Sequence, residues 1–236
     1  MHMALDELLL EQVIAGDRRP TMRLWDWIEP ALVIGSHQSV LNEVDLAAAE
    51  QLGFTVTRRM SGGGTMLCEP ARTITYSMYL PESAVAGISF RKSYALLDEW
   101  AVGAFVEMGV PASYREINDI ISPRGKIAGA AQARRRRHLV HHTTIAHSMD
   151  VTLMPRLIRI GRERLVEQGV RSAEKTVSPL SWFTSESCAE VARHLHDFFK
   201  RTFRARDGEL SAGELGAARD LVASKYSTDA WVNRLP

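Results

Sequence analysis

The segment Arg58-Arg59-Met60-Ser61-Gly62-Gly63-Gly64-Thr65 constrains this chain more than any other. Three consecutive glycines remove every Cβ from a short loop, so the backbone can take φ > 0 and a ligand can approach it closely. Successive N–H groups in such a loop can converge on an anion. The two preceding arginines carry permanent charge in a forked geometry suited to phosphate or carboxylate. Phe54 to Thr57 alternates apolar and polar residues before the loop, and Thr73 to Leu80 alternates after it, closed by Pro81. The expectation is strand, arginine-flanked glycine loop, strand. No GK[ST] follows, and the GxGxxG spacing is absent, so neither a Walker loop nor a dinucleotide fingerprint is present. A tight hairpin turn is the plainer reading of the glycines alone. The adjacent arginines favour an anionic ligand.

The rest of the chain reads as an α+β fold with a mixed, mostly antiparallel sheet flanked by helices. Ala4 to Ile14 places Leu5, Leu8, Leu9 and Val13 on one helical stripe, with Asp6, Glu7 and Glu11 opposite. Strands are expected over Met22–Trp27 and Ala31–Gly35. Asp45 caps a short helix that ends at Gly53. A long amphipathic helix covers Phe90–Met108, and strands cover Glu116–Ile121, Lys126–Ala131 and Leu139–Met149. Helices follow at Leu153–Gln168, Glu186–Arg201 and Ala212–Ser224, with Tyr226 and Trp231 in an irregular tail. No βαβ rhythm is visible. The 236 residues read as one catalytic domain spanning 1–236, with no C-terminal accessory domain.

A second loaded segment is Gly125-Lys126-Ile127-Ala128-Gly129-Ala130-Ala131-Gln132. Its small residues leave room for a ligand beside the strand. Lys126, just after a turn, is a compact charge suited to a carbonyl or phosphate oxygen. Asp119 lies near the same turn and is the candidate Mg²⁺ ligand, because magnesium takes few carboxylates plus phosphate oxygens. His138, His141, His142 and His147 match no metal-binding spacing. On a strand, His142 and Thr144 share one face while His141 and Thr143 share the other, so at most one of the adjacent histidines faces a pocket. Arg134 to Arg137 form a basic run without interleaved aromatics, which argues against nucleic acid. A formal net charge of +1 supplies no global field toward nucleic acid or a membrane surface. No apolar run approaches the roughly 20 residues of a membrane helix. Cys68 and Cys188 are too far apart in sequence for a disulfide framework, and a reducing cytoplasm is the expected compartment.

Four segments in order resemble the lipoate–protein ligases, the biotin/lipoate A/B group that includes related octanoyltransferases. They are Arg58-Arg59-x-Ser61-Gly62-Gly63-Gly64, Ile117-Asn118-Asp119, Lys126-Ile127-Ala128-Gly129-x-Ala131-Gln132 and His141-His142-Thr143-Thr144. The opening Met3–Leu10, Leu32–Gly35 with Gln38, and Lys225-Tyr226 with Trp231 are similar too. The resemblance implies that ATP, with Mg²⁺, activates lipoate or octanoate to an acyl-adenylate. A lysine of a lipoyl carrier domain then takes the acyl group. The carriers would be those of 2-oxoacid dehydrogenase complexes or the glycine cleavage H protein. It assigns Lys126 to the acyl carbonyl and phosphate, and Asp119 to Mg²⁺. Arg59, Ser61, Gly62, Gly63, Gly64, Thr65, Gly129, Ala131, His142 and Thr144 would line the substrate site. It also allows a separate accessory subunit, and docking of an acidic carrier on the arginine run.

The resemblance has departures. Arg72 stands where ligases are expected to hold an asparagine on the nucleotide side, and Thr73 to Ser77 is closer to the octanoyltransferases. Those enzymes form a thioester on a cysteine and need no ATP. Neither of their cysteine positions is occupied here, and Cys68 is the one cysteine near the site in sequence. The alternatives are therefore ATP-independent octanoyl or lipoyl transfer between carriers, or a non-catalytic lipoyl-binding homologue.

Overall fold

In the computed structural model, which describes residues 1–236, the chain forms two sheets with helices on both sides. Helix α1 (His2–Ala15) ends at Gly16, whose φ of 84° is left-handed. Strands β1 (Thr21–Asp26) and β2 (Ala31–Ile34) follow. The short helices α2 (Val40–Glu43) and α3 (Leu46–Gln51) lead to β3 (Thr55–Arg58). Asp45 caps α3 by accepting from the Ala48 N–H, as its position predicts. Then come β4 (Met66–Cys68), β5 (Thr73–Pro81), α4 (Phe90–Glu107), β6 (Ser113–Arg115), β7 (Asp119–Ser122), β8 (Gly125–Arg135) and β9 (His138–Ala146). The C-terminal part holds α5 (Met154–Leu157), α6 (Cys188–Phe203), α7 (Ala212–Leu221) and α8 (Asp229–Val232).

The six-stranded sheet runs β1-β5-β9-β8-β7-β6, with every neighbouring pair antiparallel. The three-stranded sheet runs β3-β2-β4, with β2 parallel to β3 and antiparallel to β4. The expected α+β class with a mixed, mostly antiparallel sheet is therefore present. Strand β5 is buried from Thr73 to Tyr79 because both of its faces are covered. Ile74, Tyr76 and Met78 pack under α4 and α6 with Trp100, Phe105, Val191 and Leu195. Tyr79 turns to the opposite face, against Leu9, Leu10 and Val13 of α1. Helix α6 holds its amphipathic face to the sheet and opens with a capping box, Ser187 with Glu190. No helix is long and apolar enough to cross a membrane.

Four expectations are corrected. The strands flanking the glycine loop do not form a hairpin: β3 and β5 lie in different sheets, and the unforeseen β4 intervenes. One parallel crossover, β2 to β3 through α2 and α3, exists although no βαβ rhythm is legible. The helix expected over 153–168 is only the four-residue α5 with Pro155 near its start. Beyond it, tertiary hydrogen bonds hold the backbone. The Asn42 amide donates to the Val166 and Gln168 carbonyls at 2.8 and 3.0 Å and accepts from the Leu165 N–H at 2.8 Å. Finally, Asp6 is buried, not on the solvent side of α1.

Candidate active site

The glycine loop sits where β2 ends. At Gly35 a Cβ would lie 2.2 Å from the Gly63 carbonyl oxygen, so the two backbones meet with no room for a side chain. Gly63 itself takes φ 89°, a value open to glycine and few others. On its far side the loop meets β8: a Cβ on Gly63 would touch the Ala131 methyl at 3.8 Å. The N–H groups of Gly62, Gly63 and Gly64 donate to no protein acceptor.

Neither arginine simply points at a ligand. Arg58 is fully buried and donates to the carbonyls of Gly35, Gln38, Val232 and Leu235. It ties the end of the chain to the loop and is a structural residue. Arg59 donates to the carbonyls of Val33 at 2.9 Å, Gly62 at 2.6 Å and Gly64 at 2.8 Å, and to Ser61 Oγ at 3.1 Å. It shapes the loop from within. No carboxylate faces it, so its buried charge remains available to an anion; burial lowers its pKa to about 10. Thr65 turns away from the loop's open side. Its N–H donates to Ser172 and its hydroxyl to Gln38 and Glu43.

Lys126 lies at the start of β8 and folds back over Gly129. A Cβ on Gly129 would fall 2.3 Å from the lysine Nζ. The ammonium is 2.8 Å from Asp119 Oδ1, while Lys175 binds the other carboxylate oxygen. Burial pushes the Lys126 pKa down; Asp119 opposes this, while Lys175 and Arg59 add to it. Lys175 was not foreseen, because its segment has no periodicity. It arrives because residues 176–178 pair with Lys126: Lys126 N–H donates to the Thr176 carbonyl and Ser178 N–H to the Lys126 carbonyl, both at 2.8 Å. The site thus gathers Lys126 and Lys175 on one carboxylate, with the unpaired charge of Arg59 near Lys126, and suits a developing negative charge on oxygen.

That packing makes a specific prediction. Gly129→Ala should displace the flexible end of Lys126 while leaving the backbone in place, since the only tight contacts are Lys126 Nζ and Cε. Turnover should fall at least about tenfold, roughly the effect of 1.4 kcal/mol, with an unfolding midpoint close to wild type. Parallel kinetics and thermal melts check this. Unchanged turnover would show that the resting position of Lys126 is unimportant.

His142 faces the loop, and the strand-face argument for it and Thr144 holds. Its Nε2 is 2.6 Å from Ser61 Oγ and its Nδ1 is 3.0 Å from Asp6 Oδ2. Asp6 Oδ1 accepts from Arg23 at 2.8 Å and from the Tyr79 hydroxyl at 2.7 Å. Burial opposes the Asp6 charge, but His142, Arg23 and Tyr79 outweigh it and hold the carboxyl well below the usual range. Burial also lowers the His142 pKa, with Asp6 opposing, so the imidazole is neutral. His141 lies on the other face, 2.6 Å from Asp98. An apolar slot runs beside His142 and Arg59, lined by Met3, Trp25, Trp27, Val33 and Met66, with Thr75 and Thr144 along one wall. It is nearly closed, about 10 Å³. His2 stacks on Trp25 at 4.0 Å and accepts from Arg23 at 2.8 Å.

His2 gives a pH prediction. Burial, then Arg23, lower its pKa from 6.5 to about 3. A folded pKa below the unfolded one means the unfolded chain binds the extra proton first. Stability is therefore full above pH 6.5 and falls as pH drops below it, by about 2 kcal/mol between pH 6.5 and 5 from His2 alone. His142 acts in the same direction. Urea midpoints at pH 7 and 5 measure the slope, and His2→Gln should flatten it.

Other expected features take no chemical part, although Cys68 packs with Met3, Trp25, Trp27 and Val33 of the slot wall. Cys68 is enclosed in β4, and burial pushes its thiol far up against the opposing effect of Arg59, which is the reverse of a nucleophile's environment. Cys188 belongs to the core under α6. Three of the four arginines in the basic run pair internally: Arg134 with Glu82, Arg135 with Glu7 and Glu11, and Arg136 with Glu11. No group of three or more His, Cys, Asp or Glu side chains is placed to hold a metal.

The family model of the lipoyl protein ligase A/B catalytic domain matches residues 1–200. The chain is 29% identical to the octanoyltransferase LipM of Exiguobacterium sp., over 98% of this chain and 92% of that protein. Identity to the octanoyltransferase LipM of Geobacillus kaustophilus is 28%, over the same shares. Among solved structures, a bi-partite lipoate protein ligase with its E2 lipoyl domain from Thermoplasma acidophilum aligns with a TM-score of 0.83 at 23% identity, covering all of this chain and 91% of that one. A lipoate-protein ligase A bound with ATP aligns with a TM-score of 0.80 at 22% identity, covering 99% and 93%. At such identities the structures speak to the fold. The family model spans most of the sequence, and the chain belongs to the lipoyl protein ligase A/B catalytic domain family.

Proposed function

We propose that this protein transfers an octanoyl or lipoyl group from one carrier protein to a lysine of a lipoyl domain, without ATP. The observation that carries this reading is the near full-length likeness to proteins named octanoyltransferase. The site chemistry agrees with it. The apolar side chains of Trp25, Trp27 and Met66 part to admit the acyl chain, because the slot between them holds only about 10 Å³ at rest. The acyl carbonyl then lies between Lys126 and the unengaged N–H groups of the glycine loop. Those donors stabilise the oxyanion that forms when the carbonyl is attacked. The acceptor is a lipoyl domain of a 2-oxoacid dehydrogenase complex or the glycine cleavage H protein. One solved neighbour is described together with its E2 lipoyl domain.

The residues present fit Mg²⁺ poorly. Asp119 Oδ2 accepts a hydrogen bond from Lys175 and Oδ1 lies 2.8 Å from the Lys126 ammonium without one, so a cation there would have to displace two ammonium groups. Asp119 acts instead as the counter-ion that orients Lys126. The proposed transfer starts from an already activated thioester, so it needs neither ATP nor the metal.

Two assays test the reading together. The first supplies ATP, Mg²⁺ and free octanoate or lipoate, and measures pyrophosphate. The second supplies an octanoylated carrier and a lipoyl domain. No acid-dependent pyrophosphate release, with transfer in the second assay, is expected. Acid-dependent pyrophosphate release would overturn the proposal in favour of ATP-dependent ligation.

A further inference from the structure

The hydrogen-bonded series Ser61–His142–Asp6 has a chemical use that charge stabilisation alone leaves idle. We infer that Ser61 is the group that carries the acyl chain between donor and acceptor, with His142 as its base and Asp6 as the residue that orients the base. This inference rests on the transferase reading above and adds its nucleophile.

Four observations carry it. First, no cysteine is placed to serve: Cys68 is enclosed in β4 and Cys188 lies in the core under α6. Second, the geometry is that of an activated hydroxyl. Ser61 Oγ is 2.6 Å from His142 Nε2, and His142 Nδ1 is 3.0 Å from Asp6 Oδ2. Arg23 and Tyr79 hold the Asp6 carboxylate ionised, which sets the proton of the neutral imidazole on Nδ1 and leaves Nε2 free to accept. Third, Arg59 Nε lies 3.1 Å from the same hydroxyl and stabilises negative charge on it. Fourth, the residues directly after Ser61 are the glycines whose N–H groups have no acceptor, as an oxyanion hole requires. Ser61 is only 1% exposed. Arg59 and His142, which both contact its hydroxyl, stand in the wall of the slot, so widening of the slot to admit the acyl chain is what would bring the thioester to Ser61.

The steps balance. His142 Nε2 takes the Ser61 proton as Oγ attacks the donor thioester carbonyl. The C–S bond breaks, and the leaving thiolate takes that proton from His142. The product is an octanoyl ester on Ser61 and a free carrier thiol. The acceptor lysine amine then attacks the ester. The C–O bond breaks, and His142 moves a proton from the amine to the departing Oγ, which restores Ser61 and leaves an amide.

Wild-type enzyme mixed with octanoylated carrier and no acceptor should gain one octanoyl group. Peptide mapping should place it on Ser61 as a hydroxylamine-labile ester, and added lipoyl domain should discharge it. Initial rates against both substrates should give the parallel lines of a ping-pong mechanism. Ser61→Ala should lose transfer at least about a thousandfold, and Ser61→Cys should restore part of it through a thioester. Transfer at the normal rate with no acyl group on Ser61, or a folded Ser61→Ala that transfers like wild type, would overturn the inference and leave the transferase reading intact. Wild type that transfers nothing from the carrier would overturn both.

Discussion

Lys126→Ala is expected to reduce acyl transfer by about 10²–10³-fold with little change in stability. The size follows from where the ammonium acts. It sits in a largely buried site, 2.8 Å from Asp119, where the low dielectric strengthens its pull on a carbonyl oxygen that becomes negative during attack. The contact strengthens as the charge develops, so its loss falls mainly on kcat rather than on KM. Stability is spared because the lysine side chain is 27% exposed and Lys175 remains to neutralise Asp119. Lys126→Arg should not rescue. The guanidinium is wider than an ammonium, and the lysine already occupies the space left by the missing Gly129 side chain. Steady-state kinetics with a thermal melt of each variant measure both quantities. A loss below about tenfold would remove Lys126 from the chemistry.

Arg58→Ala is expected to act on the fold instead, destabilising it by about 3–5 kcal/mol. The guanidinium is fully buried and satisfies the carbonyls of Gly35 and Val232 at 2.9 Å, Gln38 at 2.7 Å and Leu235 at 3.2 Å. Removal takes the partner from the Gln38 and Val232 carbonyls, while those of Gly35 and Leu235 keep the N–H groups of Gln38 and Val40, and it opens a cavity that an alanine methyl does not fill. Because two of those carbonyls belong to residues beyond 230, the C-terminal segment should also become accessible to protease. Urea unfolding at constant m-value gives the energy, and limited proteolysis followed by intact mass gives the release. Arg58→Lys should recover only part of the loss, because one ammonium cannot span carbonyls on both sides. A change under about 1 kcal/mol would contradict this account of Arg58.

What the sequence made legible was local. Lys126, Gly129 and the Asp119 turn lie within one hairpin, and a two-residue period was enough to put His142 and Thr144 on one face. The close backbone approach and positive φ of the glycine loop could be read from its composition. Its arginines could not be read as the loop's own scaffold, because that depends on carbonyls of residues near 35, 62 and 235. Asp6 was read as a solvent residue of α1 because helical periodicity compares a residue only with its neighbours in the helix. Its burial is set by Arg23, Tyr79 and His142, which the sheet order β1-β5-β9 brings under α1. Lys175 was missed for the same kind of reason: only a backbone pairing with Lys126 carries it to Asp119. The failed helix after α5 shows tertiary hydrogen bonds from Asn42 overriding a local apolar pattern.

The most direct test of the central claim is the intact mass of a purified lipoyl domain. It would be incubated with this protein and an octanoylated carrier, in EDTA and without ATP. The account predicts that the domain gains one octanoyl group, that the gain is unchanged by adding ATP, and that Lys126→Ala slows it by the stated factor. A domain that stays unmodified until ATP, Mg²⁺ and a free acid are supplied would contradict it.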